Sequence, residues 1–240
     1  MHKQTEKLSY TTTFLMLVSR LAFFLIFQVI IALFTNSWET SEKYWLLTAT
    51  LTNVVSIALL YFLFRRDGKK YLDIFKIKRS SLKKDILIFL GITIISGPIV
   101  FAPGYFLSVM IWDDPDAPTE MMFNNIENWL VYFLLIAFPV TIAFAELPTY
   151  FAFIMPRLKI QMKTKWLAVL LPILFLSIQH CTLPFIPDIN FIIYRLLVFL
   201  PFAILVGVSI YYRPSLFFYF VVLHGIMDFG TALMFLLEIQ

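Results

Sequence analysis

Residues 129–155 read WLVYFLLIAFPVTIAFAELPTYFAFIM, a long apolar run interrupted by a single charge, Glu146. A helix of about 20 residues crosses the roughly 30 Å hydrocarbon core of a bilayer, so this stretch is long enough to span with turns to spare. It lacks the period-2 alternation of a barrel strand, and lipid offers no partner for exposed backbone, so the run must be helical. A carboxylate inside such a helix costs a few kcal/mol (about 2.5–3.5 on insertion scales), so Glu146 is expected to face a polar cavity, a partner or a substrate.

The rest of the chain repeats that reading. Of its 240 residues 60% are hydrophobic and only 14% charged, with 27 phenylalanines, a composition far from that of soluble domains. Seven spans can be drawn: Thr12 to Phe34, Tyr44 to Phe64, Ile86 to Trp112, Trp129 to Met155, Trp166 to Phe185, Phe191 to Tyr211 and Ser215 to Leu237. The connections are too short for a second domain. The expectation is therefore an all-α, polytopic transmembrane helical bundle of about seven spans, with residues 1–240 forming one integral membrane domain.

Charge sets the expected topology. Nine basic residues lie between Arg65 and Lys84, and Arg157, Lys159, Lys163 and Lys165 form a second basic turn. The positive-inside rule puts both in the cytoplasm. The segment carrying Asp113, Asp114, Asp116, Glu120 and Glu127 has no Lys or Arg, as an external connection should. The N-terminus is then cytoplasmic, the C-terminus external, and the protein a multi-pass component of the cell membrane. Lys43 is the one basic residue in an external loop, while Arg20 and Arg195 fall inside spans, where they are expected to snorkel toward an end. The net charge of +4 reflects this topology and attraction to anionic headgroups, so the lipid bilayer, and no nucleic acid, is the expected partner.

The first span is longer than a signal-peptide core and lacks a small-residue cleavage site, so it reads as retained. The single cysteine, Cys181, permits no intrachain disulfide, and although it adjoins His180 the two side chains point about 100° apart on a helix. Ser96-Gly97-Pro98 and Pro103-Gly104 in the third span, and Pro139, Pro148, Pro172 and Pro201 in later ones, predict kinks and freed carbonyls.

Three further ionisable residues share the setting of Glu146: His180, His224 and Asp228. Counting about 1.5 Å per residue from each cytoplasmic end places Glu146 about 15 Å deep, His180 about 21 Å, His224 about 14 Å and Asp228 about 20 Å. They share a layer, and the i, i+4 spacing puts His224 and Asp228 on one helix face. Two acids and two histidines at one depth form a candidate reaction centre.

In order and spacing these residues resemble the CAAX protease and bacteriocin-processing (CPBP) family of intramembrane proteases, which includes the type II CAAX prenyl endopeptidases. Glu146 to Leu158, ELPTYFAFIMPRL, is similar to the family's first motif, with the ending Pro156-Arg157-Leu158 setting the register. Leu176 to His180 resembles the second motif and His224 with Asp228 the third. The likeness covers the C-terminal half, with residues 129–237 as the CPBP-like core helices. Three positions depart from it: Leu147 stands for the second glutamate, Phe151 for the arginine and Leu176 for a phenylalanine. The first two changes together remove an ion pair without leaving an orphan charge.

The resemblance implies an endopeptidase (a hydrolase) acting by intramembrane proteolysis, in which Glu146, as general base, and His180 activate water while His224 and Asp228 stabilise the oxyanion. An ionised Asp228 cannot donate a hydrogen bond, so it would be protonated or act by orienting His224. The implied substrate is a hydrophobic membrane-associated peptide or protein C-terminus, reached from the cytoplasmic side. A zinc shell built from Glu146, His180, His224 and Asp228 is the competing reading, although the spacing is not that of HExxH. The alternative functions are a non-catalytic CPBP-like membrane regulator or bacteriocin immunity protein, and an ion-relay transporter, against which the lack of inverted repeats counts.

Overall fold

The computed structural model describes residues 10–237, and their regular structure is entirely helical. The segment before Tyr10, whose cytoplasmic placement the charge pattern predicts, lies outside the described residues. In chain order the helices are α1 (Tyr10–Thr35), α2 (Trp38–Lys43), α3 (Trp45–Arg66), α4 (Leu82–Trp112), α5 (Ala117–Met122), α6 (Asn128–Leu147), α7 (Met155–Gln161), α8 (Leu167–Ile178), α9 (Ile189–Tyr212) and α10 (Phe217–Leu237). Six helical stretches are long and apolar enough to cross a membrane. The protein is an all-α helical bundle built for a bilayer.

The expected fifth span departs from the sequence reading. The segment from Trp166 to Phe185 is not one long helix: α8 ends at Ile178, tightens into a 3₁₀ turn at Gln179–Thr182, and leaves 183–188 irregular. Asp188 then restarts the helix, its carboxylate accepting the Phe191 N–H at 3.0 Å as the cap of α9. Such irregular backbone survives at membrane depth only where protein supplies partners. Here the Gln28 amide and the Trp38 indole both donate to the Phe185 carbonyl, at 3.0 and 3.3 Å.

A second irregularity interrupts the opening stretch. A wide π turn, Pro148–Ile154, joins α6 to α7. Pro148 has no N–H, so the Phe144 carbonyl one turn earlier loses its helical donor, and the Tyr71 hydroxyl donates to it instead. Such π turns often accompany functional sites, and this one begins two residues after Glu146.

The two basic segments meet at one end of the bundle, where Arg157 pairs with Asp67, and Lys159 reaches the Tyr211 carbonyl at 3.4 Å. At the other, acidic end the Tyr44 hydroxyl donates to Glu127 at 2.8 Å and the Trp45 indole to the Met122 carbonyl at 2.8 Å. Burial first, and then the adjoining Glu127 carboxylate, push the Tyr44 phenol above its ordinary range, keeping it a donor.

Outer surfaces are apolar and inner ones partly polar, the reverse of a soluble protein. In α4 the buried residues are Asp85, Ser96 and Ser108, whereas Ile94, Phe101 and Met110 are each more than 70% exposed. The buried apolar residues divide into two clusters. One, toward the basic end, includes Leu17, Leu60, Leu147, Phe151 and Val221; the other, toward the acidic end, includes Phe24, Ala49, Ile142 and Ala232. Along α1, α3, α6 and α10 the chain passes from one cluster to the other through a polar residue: Arg20, Asn53 or Ser56, Glu146, and His224.

Packing of α8 on α9 rests on Gly207, where an added Cβ would sit 2.4 Å from Ile173 Cγ1 and 3.0 Å from Phe151 Cε1. Gly207→Val is therefore expected to destabilise the fold by about 1–3 kcal/mol through overpacking. Thermal unfolding of the purified protein checks this, and an unchanged midpoint would contradict the close packing.

Candidate active site

Glu146 is the centre of the polar layer and is only 1% exposed. Its Oε2 accepts from Gln179 Nε2 at 2.7 Å and stands 3.4 Å from Arg20 Nη2. Arg20 in turn donates through Nε to Gln179 Oε1 at 2.8 Å, through Nη2 to Asn53 Oδ1 at 3.0 Å and through Nη1 to Ser56 Oγ at 3.3 Å. The Tyr150 hydroxyl also donates to Gln179 Oε1, at 3.2 Å. This network ties α1, α3, α6 and the turn after α8 to one carboxylate oxygen. With every member hydrogen-bonded, the buried charges are compensated and the orientation of Glu146 is set.

The other oxygen, Oε1, lies 2.8 Å from His224 Nε2, which is itself 3.4 Å from Asp228 Oδ2. Neither contact meets hydrogen-bond alignment: His224 Nε2, His224 Nδ1 and Asp228 Oδ2 are buried without an aligned hydrogen-bond partner. Glu146 is thus fixed on one side, while the side facing α10 carries unused hydrogen-bonding capacity.

His180 occupies the 3₁₀ turn. Its Nδ1 is 2.8 Å from the Leu176 carbonyl, and its ring stacks on Phe199 with centroids 3.7 Å apart and planes 15° from parallel. A carbonyl can only accept, so a neutral His180 carries its proton on Nδ1 and keeps the Nε2 lone pair for another donor.

All four sequence-predicted residues line one cavity of about 650 Å³ between α4, α9 and α10, with Val100, Phe101, Leu176, Val198 and Phe202 among its apolar walls. A smaller cavity of about 210 Å³ adjoins it beneath α5 and shares His180 and Asp228. Both include Phe123 from the acidic connection together with residues of α9 and α10. Toward the basic end the Tyr71–Phe75 turn packs its rings against Phe64, Phe144 and Phe217.

Several expectations change in detail. Arg20 and Arg195 do not snorkel: both are buried, at 0% and 5% exposure, because carboxylate and carbonyl partners await them inside. Glu146 directly contacts His224 and not His180. The positions departing from the family pattern are apolar in their surroundings: Phe151 and Leu147 are buried in the basic-end cluster, and Leu147 also borders the larger cavity. Cys181 points its thiol at the Ile192 carbonyl, 3.5 Å away, and does not line either cavity.

As arranged, the side chains do not make a zinc shell. One Glu146 oxygen is held by Gln179 and lies beside the Arg20 guanidinium, which would repel a cation, and no group of three or more His, Cys, Asp or Glu side chains among the described residues converges on a point. The sequence reading missed Arg20, Gln179 and Asn53. The depth count held the signal for Arg20, which lies about 15 Å from the start of α1, level with Glu146.

No protein-family model matches the chain, and no curated protein and no solved structure does so either.

Proposed function

We propose that the protein is an intramembrane endopeptidase that cleaves a hydrophobic, membrane-associated peptide or protein C-terminus with water activated by Glu146 and His180. The observation that carries this reading is the asymmetry at Glu146: one oxygen is locked by Gln179 and Arg20, the other faces His224, and the residue lines a large cavity together with His180, His224 and Asp228. A purely structural ion pair has no need of such a cavity, nor of two histidines beside it.

In this mechanism a water between Glu146 Oε1 and His180 Nε2 loses its proton as its oxygen attacks the peptide carbonyl. His224, poised between the two carboxylates, turns an N–H toward the developing oxyanion, and Asp228 orients or recharges it. The proton passes to the leaving amine as the C–N bond breaks. No metal is required, consistent with the guanidinium at 3.4 Å from Glu146. Resemblance of the motifs to the CPBP proteases supports the assignment of these four residues. The cavities' position toward the acidic end favours a substrate arriving from that side, which the charge pattern makes external.

The second reading, a non-catalytic membrane regulator or immunity protein, draws on the same Arg20–Glu146 pair as interhelical glue. Incubating reconstituted protein with a panel of apolar peptides separates the two. Cleavage by the wild type that falls about 100-fold or more in His180→Ala supports the peptidase. Cleavage unaffected by His180→Ala contradicts the mechanism, and no cleavage of any peptide favours the regulator.

A further inference from the structure

Among the described residues three arginines are buried, and two have carboxylate partners: Arg20 has Glu146 and Arg157 has Asp67. Arg195, 5% exposed, has none within ion-pair distance among the described residues. Its Nε donates to the His180 carbonyl at 3.1 Å and its Nη2 to the Leu183 carbonyl at 2.5 Å, while Nη1 meets only the Met122 sulfur at 3.3 Å. Both carbonyls belong to the turn after α8 and the irregular segment that follows it, where the His180 carbonyl also accepts the Leu183 N–H at 3.3 Å, so part of the residue's work is structural. The Phe199 and Phe191 rings, 4.7 and 5.9 Å from the guanidinium carbon, add cation–π attraction, but carbonyls, a thioether and rings supply no counter-charge, and a buried charge without one is costly. A thioether is also the weakest acceptor that a guanidinium N–H could be given.

Arg195 lines the smaller cavity, beside His180 and the hydroxyl-bearing Thr119. The one carboxylate facing that space, Asp228, is beyond ion-pair reach of Arg195 and is engaged by His224 at 3.4 Å. The cavity adjoins the larger apolar one through shared residues, Tyr194 and Phe199 among them. A cation at one end and an apolar trough beyond it match an amphiphile with an anionic terminus.

We propose that Arg195 is the receptor for a terminal carboxylate on an apolar ligand. The guanidinium fork offers the carboxylate charge-assisted hydrogen bonds in place of the sulfur contact. The site stands on the geometry of Arg195 alone; that the carboxylate is the C-terminus of a peptide rests on the peptidase reading. Cleavage would then fall a short, fixed distance from that end, because His180 is both a wall of the cavity and the residue whose carbonyl accepts the Arg195 Nε–H.

Binding, read without cleavage, tests this. Full-length protein in phosphatidylcholine nanodiscs is titrated calorimetrically with a short apolar peptide, acetylated at its N-terminus, as the free acid and as the carboxamide, and with laurate. The acid is expected to bind about tenfold or more tightly than the amide, as a charged hydrogen-bond partner should, and Arg195→Gln is expected to abolish the difference. Laurate binding that depends on Arg195 in the same way also supports the site and assigns the carboxylate to a lipid. Equal binding of acid and amide without Arg195-dependent laurate binding, binding of neither peptide nor laurate, or an acid preference that survives in Arg195→Gln overturns the proposal. Should that variant fail to accumulate, Arg195→Lys, which keeps charge but not the planar fork, must weaken the preference; an undiminished one overturns it. Absence of peptidase activity leaves the binding result intact, so the two readings fail separately.

Discussion

Arg20→Met is expected to destabilise the protein by about 3–5 kcal/mol, the cost of leaving a buried carboxylate without its partner. The residue is wholly buried and its guanidinium holds Gln179, Asn53 and Ser56 as well as facing Glu146. The substitution thus orphans groups on three other elements at once. Pairing it with Glu146→Gln removes both charges, and the double variant is expected to be more stable than the sum of the two single changes predicts, because the residues act as one unit. Thermal unfolding of wild type, both single variants and the double variant in one detergent measures the coupling. Additive effects would mean that the 3.4 Å contact carries no energy and that Glu146 is oriented by Gln179 alone.

The second large effect is on chemistry. Glu146→Gln keeps the size of the side chain and can still accept from Gln179, so the fold is expected to persist with the carboxylate's negative charge removed. Turnover should fall by about 10²–10⁴-fold, the range a general base contributes. The loss is expected in the chemical step with substrate binding little changed, because the walls of the larger cavity are untouched. Kinetics on any peptide found to be cleaved decide this. Full turnover in a folded Glu146→Gln protein would remove Glu146 from the mechanism.

How far the sequence carried this account depends on the residue. The helical bundle was legible because apolar length and the hydrogen-bonding demands of lipid leave no other structure for such runs. The layer of Glu146, His180, His224 and Asp228 was legible from rise per residue alone, and the four line one cavity. The full-length fifth span was not, since hydropathy is blind to a 3₁₀ turn braced by an arginine of the next helix, Arg195, at the His180 carbonyl. Arg20 and Arg195 were misassigned for one reason. Snorkelling is the default for a lone arginine in lipid, and inward pairing depends on contacts with residues far away in sequence, Arg20 with Gln179 being 159 positions apart.

An arginine from the first helix, Arg20, stands 3.4 Å from Glu146. The N-terminal spans, which sequence motifs leave as mere hydrophobic filler, therefore supply part of the candidate site.

The central claim is that Glu146 performs hydrolysis. Its most direct test compares the peptide termini present in membranes of host cells expressing wild type or Glu146→Gln at equal, verified levels. The account predicts new termini with the wild type that vanish with Glu146→Gln, on apolar segments close to a carboxyl end. Identical termini in both, with Glu146→Gln fully replacing the wild type in the cell, would contradict it.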